Sequence, residues 1–198
     1  MINIFSIVEG HGEISAVPIL IRRIANEICG RFDVACLPPY RLPRGRMLID
    51  LTRVIALGRA QLAGLEGDGH IVIIMDADEE CPATLATTVR NHCRDVWDDE
   101  TIKLIFACQE YEAWFLASNM NVNHHRDLRD ETPTLENPEV LRSPKGFFER
   151  QFLRPGRFYS ETIDQPKFSA AMDIETARRA LSFDKFYRDL LSVCTLRE

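Results

Sequence analysis

The chain has no apolar run approaching the ~20 residues needed to span a bilayer, so no stretch of it reads as a membrane segment. Its first residues, MINIFSIVEGHGE, carry no basic stretch and no small-residue cleavage site, and they read as a strand instead of a secretory leader. Positive charge is not in excess: 24 Lys and Arg stand against 30 Asp and Glu, a net charge of −6. That balance argues against holding nucleic acid by bulk electrostatics, though not against bringing a phosphate to a metal. Among the 6 cysteines (Cys29, Cys36, Cys81, Cys93, Cys108 and Cys194) there is no C-x-x-C pair. Scattered in this way they read as reduced thiols of a cytoplasmic protein, not as a disulfide framework or a zinc site. His92, His124 and His125 are expected as surface or loop histidines. No internal repeat or low-complexity segment is present. What is there, 198 residues with 45% hydrophobic and 27% charged content, suits one globular domain with a sizeable core.

The stretch that organises the rest is His70 to Glu80, HIVIIMDADEE. Five apolar residues, Ile71 to Met75, end abruptly in acid, which is how a strand buried on both faces of a parallel sheet reads. Asp76 then falls at the strand's carboxyl end, where open α/β sheets bind ligands, and Asp78 follows two residues on. Taken alone, D-A-D-E-E has two readings. It is a solvated loop whose acids favour the next helix start, or it is a hard-oxygen site for a divalent cation.

A second acidic site favours the cation. Ile2 to Val8 reads as the first strand and ends at Glu9, followed by Gly10-His11-Gly12 and Glu13, a tight turn with room for a ligand. A helix follows with Val17, Leu20, Ile21, Ile24 and Ile28 on one stripe; Pro18 within it places the helix start near Ser15, and Gly30 ends it. Phe32 to Leu37 is a second strand, followed by the basic loop YRLPRGR and a helix over Met47 to Leu65. After DADEE, Pro82 opens a helix running to about Val96. Thr101 to Cys108 is a strand, and Glu110 to Ser118 a helix. The order β-α-β-α-β-α-β-α over residues 1–118 implies an α/β fold, a mostly parallel sheet with helices on both faces. Residues 119–198 read as a loop (Asn119 to Arg142) and a C-terminal helical extension. Short helices are expected at Lys145 to Phe152 and, capped by Asp173, at Asp173 to Leu181. Ser182 is expected to cap a last helix, whose stripe Phe183, Phe186, Tyr187, Leu190 and Leu191 is core.

If the strands ending at Glu9 and Asp76 are neighbours, Glu9, Asp76 and Asp78 converge on one sheet edge. Such crowded carboxylates need a cation, Mg²⁺ or Mn²⁺, which can polarise a phosphodiester and activate water. Glu80 and Glu110 are further metal candidates. Glu13 is expected mainly to favour its helix start, and Glu112 to face solvent. Arg41, Arg44 and Arg46 emerge at the same carboxyl edge and are candidate phosphate contacts. The later basic stretch Arg142, Lys145, Arg150, Arg154 and Arg157 reads as solvated surface.

These residues carry a resemblance. Glu9 in IVEGHGE and Asp76-Ala77-Asp78 in IIMDADEE resemble the Toprim fold of topoisomerases, primases and related nucleases. With CQEYEAWFLA (Cys108 to Ala117) and RALSFDKFYRDL (Arg179 to Leu190), nearly the whole chain resembles the bacterial Toprim-like family called domain of unknown function 4276. The resemblance implies a Toprim/Rossmann-like fold, a catalytic role for Glu9, and metal-binding roles for Asp76 and Asp78. The glycine that often follows D-x-D is replaced by Glu79-Glu80-Cys81. The implied function is a divalent-metal-dependent nuclease hydrolysing nucleic-acid phosphodiesters, DNA in preference to RNA. The resemblance also implies a place in a bacterial defence module with an ATPase partner. The alternative is a non-catalytic regulatory or effector subunit that docks on an ATPase and keeps a vestigial metal site. Phosphoryl transfer of the haloacid-dehalogenase type ranks last, because its D-x-D belongs on the first strand.

Overall fold

Seven consecutive buried residues, Ile2–Val8 (β1), pair in parallel along their whole length with Asp68–Asp76 (β4), from Ile2 opposite Asp68 to Val8 opposite Ile74. The computed structural model describes residues 1–118 and 126–195; His124, His125 and the start of the expected 119–142 loop lie outside them. Val34–Cys36 (β2) and Tyr40–Arg41 (β3) pair with successive stretches of β1, and Ile102–Ala107 (β5) pairs with β4. The sheet order is β2-β1-β4-β5, with β3 also on β1, and every pair is parallel. The expected α/β architecture is therefore present. The chain starts in the middle of the sheet, builds one side, and returns to build the other. The point between β1 and β4 where the order reverses is the crevice in which such sheets bind ligands.

Alternation along the strands splits the core in two. Phe5, Ile7, Ile71, Ile73, Met75, Leu104 and Phe106 pack with Met47–Ala63 (α2) and Pro82–His92 (α3). Ile2, Ile4, Val8, Val72, Ile74, Ile105 and Ala107 face the opposite way. They pack with Glu13–Arg23 (α1), Ala113–Ala117 (α4), Pro144–Gln151 (α5), Glu161–Ala171 (α6), Ile174–Ala177 (α7) and Leu181–Cys194 (α8). Helices after residue 118 thus complete one face of the sheet. Trp114 and Phe115 are fully buried there, as core. On the first face α2 approaches closely: a Cβ at Gly58 would stand 2.4 Å from the Phe5 ring.

Several expectations are corrected. The first helix begins at Glu13, not near Ser15, so Pro18 lies inside it; the Glu13 carboxylate accepts from the Glu9 amide and fixes the start. The helix then continues as a π-helical segment over Ile24–Ile28. Strand β3 forms inside YRLPRGR, and α6 forms where no helix is expected. Helix α4 is shortened to five residues. Ser182 is not the cap of α8. The Glu139 carboxylate accepts from the Leu181 and Ser182 amides at 2.8 and 3.0 Å, and it also takes the Ser182 hydroxyl. The Asp173 cap is present, accepting from the Thr176 amide.

Candidate active site at the carboxyl edge of the sheet

The ends of β1 and β4 meet as their pairing dictates. The Asp76 amide donates to Glu9 Oε2 at 3.3 Å, so the two strand ends are joined by the first acidic side chain. Past Asp76 the chain bends: the Ala77 amide donates to the Ala107 carbonyl and the Asp78 amide to the Gln109 carbonyl. Asp78 and Gln109 form an isolated bridge, and both take left-handed backbone conformations, φ 48° and 63°. Asp tolerates that region better than most side chains, and the glycine missing after D-x-D is not needed for this turn. Left-handed residues away from glycine concentrate at ligand sites.

Around these ends lies a cleft of about 210 Å³ whose walls include Glu9, Glu13, Arg41, Arg44, Asp76, Glu110, Glu112, Lys145, Glu161 and Gln165. Residue by residue, the site is acidic and largely withdrawn from water. Burial raises the Glu9 carboxyl above its ordinary value, and Asp78 adds to this. Glu13, 2% exposed, is pushed up to about 8 by burial. Asp76 is raised well above the usual range by burial and then by the charges of Glu13, Glu112 and Glu9. Its Oδ1 is shut off from solvent with no hydrogen-bond partner among the described residues. Burial and neighbouring negative charge thus disfavour the charged form of each of these carboxyls.

Glu112 overturns the expectation that it faces solvent. It is 3% exposed, raised by burial, and accepts from Gln165 Nε2 at 2.9 Å. Helix α4 is buried all round, so no face of it was free to carry Glu112 into water. Glu110 also lines the cleft, where its Oε2 accepts from the Lys145 amide at the start of α5. Asp78 and Glu80 do not line the cleft: both are exposed and turned to Arg44, and Glu80 borders a neighbouring recess.

The basic residues divide. Arg41 lines the cleft with its Nε buried and unpartnered among the described residues. Arg44 reaches the D-x-D loop, whereas Arg46 is turned to Asp50 at 2.6 Å on α2. From the later stretch, read as surface, Lys145 comes into the cleft with Nζ 2.8 Å from Glu161. Arg157 ion-pairs with the buried Asp164.

Sequence reasoning missed Glu112, Lys145, Glu161 and Gln165. Three of them arrive on α5 and α6. The room expected beside Gly12 is filled by α6, since a Cβ there would stand 2.3 Å from the Glu161 carbonyl.

Among the described residues no three His, Cys, Asp or Glu side chains are grouped to hold a metal. The chemistry of the donors nevertheless fits a hard divalent cation. They are oxygens, anionic when charged, with one buried carboxylate oxygen unpaired at the centre.

Fold and site define an α/β protein, Rossmann-like in its parallel sheet, with an acidic cleft at its topological switch point and a helical cover on one face. The chain belongs to the family described as Domain of unknown function (DUF4276), whose model matches residues 8–191. No curated protein and no solved structure matches it. Among the described residues no helix is long and apolar enough to cross a membrane.

Proposed function

We propose that this protein is a divalent-metal-dependent nuclease that hydrolyses nucleic-acid phosphodiesters, DNA in preference to RNA, at the acidic cleft. The observation that carries the reading is the unpaired, desolvated carboxylate oxygen of Asp76 among Glu9, Glu13 and Glu112 at the switch point. The likeness of IVEGHGE and IIMDADEE to the Toprim fold supports the same assignment. Asp76, Asp78 and Glu9 would hold Mg²⁺ or Mn²⁺, with Glu80 and Glu110 at the margin. The ion supplies phosphoryl polarisation and an acidified water. Arg41 and Lys145 orient the phosphate from the cleft walls, each as a fixed positive charge among acids. In this reading Glu9, whose proton affinity is raised by burial, would take the proton of the attacking water. Gln165 holds Glu112 in place beneath them. We place the protein in the cytoplasm, as a component of a bacterial defence module with an ATPase partner.

A second reading is favoured by one observation: Asp78 and Glu80 are engaged by Arg44 and no acidic triplet converges. On it the protein is a non-catalytic subunit docking on an ATPase, with a vestigial metal site. Incubation of supercoiled plasmid and of single strands with Mg²⁺, Mn²⁺ or chelator separates the two. Nicking or degradation that chelator stops, and that Asp76→Asn lacks, supports the nuclease. No cleavage of either substrate by the folded protein supports the docking subunit.

A further inference from the structure

The cleft already contains a cation of the protein's own. Arg44, in the 3₁₀ turn Arg44–Arg46 after β3, reaches across to the loop that ends β4. Its Nη1 donates to the Asp76 carbonyl and its Nη2 to the Glu80 carboxylate, while Nε stands 3.5 Å from Asp78 Oδ2. Three acceptors of one loop hang on one guanidinium, whose planar fork of donors suits such an arrangement. The effect is visible in where the acids go. Asp78 and Glu80 are turned to Arg44, Asp76 Oδ1 is left unpaired, and no three carboxylates converge. Arg44 also borders a second recess, about 300 Å³, whose walls include Met47, Thr84, Leu85 and Val89 from α2 and α3. Glu80 lines the same recess, so the side chain has space to swing away from Asp76 and Asp78 while remaining beside Glu80.

We infer that Arg44 is an internal counter-cation that latches the D-x-D loop when no metal is bound and withdraws from it before a divalent ion is held. The inference rests on the metal-dependent reading above and adds a positioning residue that competes with the ion. Freed of the loop, the guanidinium is available to a substrate phosphate beside the cleft. Metal binding and phosphate contact are then coupled, because each removes the loop's claim on Arg44.

The test is calorimetric titration of the full chain with MnCl₂, without nucleic acid, for wild type, Arg44→Ala and Arg44→Lys. Removing one positive charge beside the ligands should tighten Mn²⁺ binding by at least about tenfold in Arg44→Ala. Lysine keeps the charge but not the fork, and its affinity should fall between the other two. In chelator the alanine variant should melt below wild type, and it should gain more on adding Mn²⁺. Equal or weaker binding in both variants overturns the latch and leaves the metal site standing. No Mn²⁺ binding by any of the three folded proteins overturns the metal-dependent reading, and the latch with it. Should Arg44→Ala fail to fold, the lysine variant decides by the same comparison with wild type.

Discussion

The two faces of the sheet are built from the same strands and do different work. Beneath α2 and α3 the core is apolar throughout, from Phe5 and Ile7 to Leu104 and Phe106. Beneath α1, α4, α6 and α8 a core of aliphatic and aromatic side chains runs up to buried Glu13, Glu112, Asp164 and Gln165. Burying an ionisable group is costly, and the raised carboxyls of Glu13 and Glu112 are less stable charged than they would be in water. The first face holds the sheet together, and the second gives up stability to hold acids where water is scarce. Substitutions on the two faces should therefore separate stability from function.

The largest effect is expected at Asp76. Asp76→Asn should lower metal-dependent cleavage on the order of a thousandfold, the scale on which one electrostatic group of an active site acts. Its melting temperature at pH 8 should be equal to wild type or slightly higher, since a crowded negative charge has gone. Unfolding of this variant in a thermal melt would make Asp76 structural. On the other face, Ile55→Ala should cost about 2–5 kcal/mol in denaturant unfolding, by leaving a cavity in a fully buried cluster. Its cleavage per folded molecule should be unchanged. Gly58→Ala should cost about 1–3 kcal/mol by overpacking against Phe5, despite the better helix propensity of alanine.

A pH titration sharpens the contrast. Glu13 has an ordinary value of 4.5 and is pushed up to about 8 in the fold. Between those values the folded state keeps a proton that the unfolded chain has lost. Stability is then fully present below 4.5 and is lost as the pH rises through about 8. The slope is about 1.4 kcal/mol per pH unit for each such group. Chemical denaturation without divalent ions should show this decline, and Glu13→Gln should flatten it. Saturating Mn²⁺ should oppose it by binding the charged carboxylates.

The smallest effect concerns the basic loop. Changing Arg41, Arg44 and Arg46 together to alanine should flatten the dependence of log K on log salt by about two units for duplex DNA, near −0.9 per phosphate contact. Arg46 is held by Asp50 and should contribute least. An unchanged slope removes this loop from the binding surface.

The sequence made one half of this arrangement legible. Apolar runs such as IVIIM and INIFSIV identify strands buried on both faces, and their acidic ends mark the carboxyl edge, so Glu9 and Asp76 were findable without coordinates. The other half carried no comparable signal. Helix α6, ETIDQPKFSAA, has Pro166 in its interior, and its buried residues Asp164, Gln165, Phe168 and Ser169 are mostly polar, so no apolar stripe announces it. Strand β3 has two residues between Pro39 and Pro43, too few for a periodicity. Glu112 escapes a sequence reading because a glutamate on a short helix is ordinarily at the surface; the burial of α4 and the contact with Gln165 of α6 enclose it here. The clue available was EYEAWFLA itself, where Tyr111, Trp114 and Phe115 flank the acid too closely for a solvated face.

The most direct test of the central claim is anomalous scattering from crystals grown with Mn²⁺. The account predicts a peak at the switch point about 2.0–2.2 Å from carboxylate oxygens of Asp76 and at least one of Glu9 and Asp78, with Arg44 drawn back from the loop. A clear anomalous map with no peak in the acidic cleft, and Arg44 still bridging Asp78 and Glu80 at saturating Mn²⁺, would contradict it.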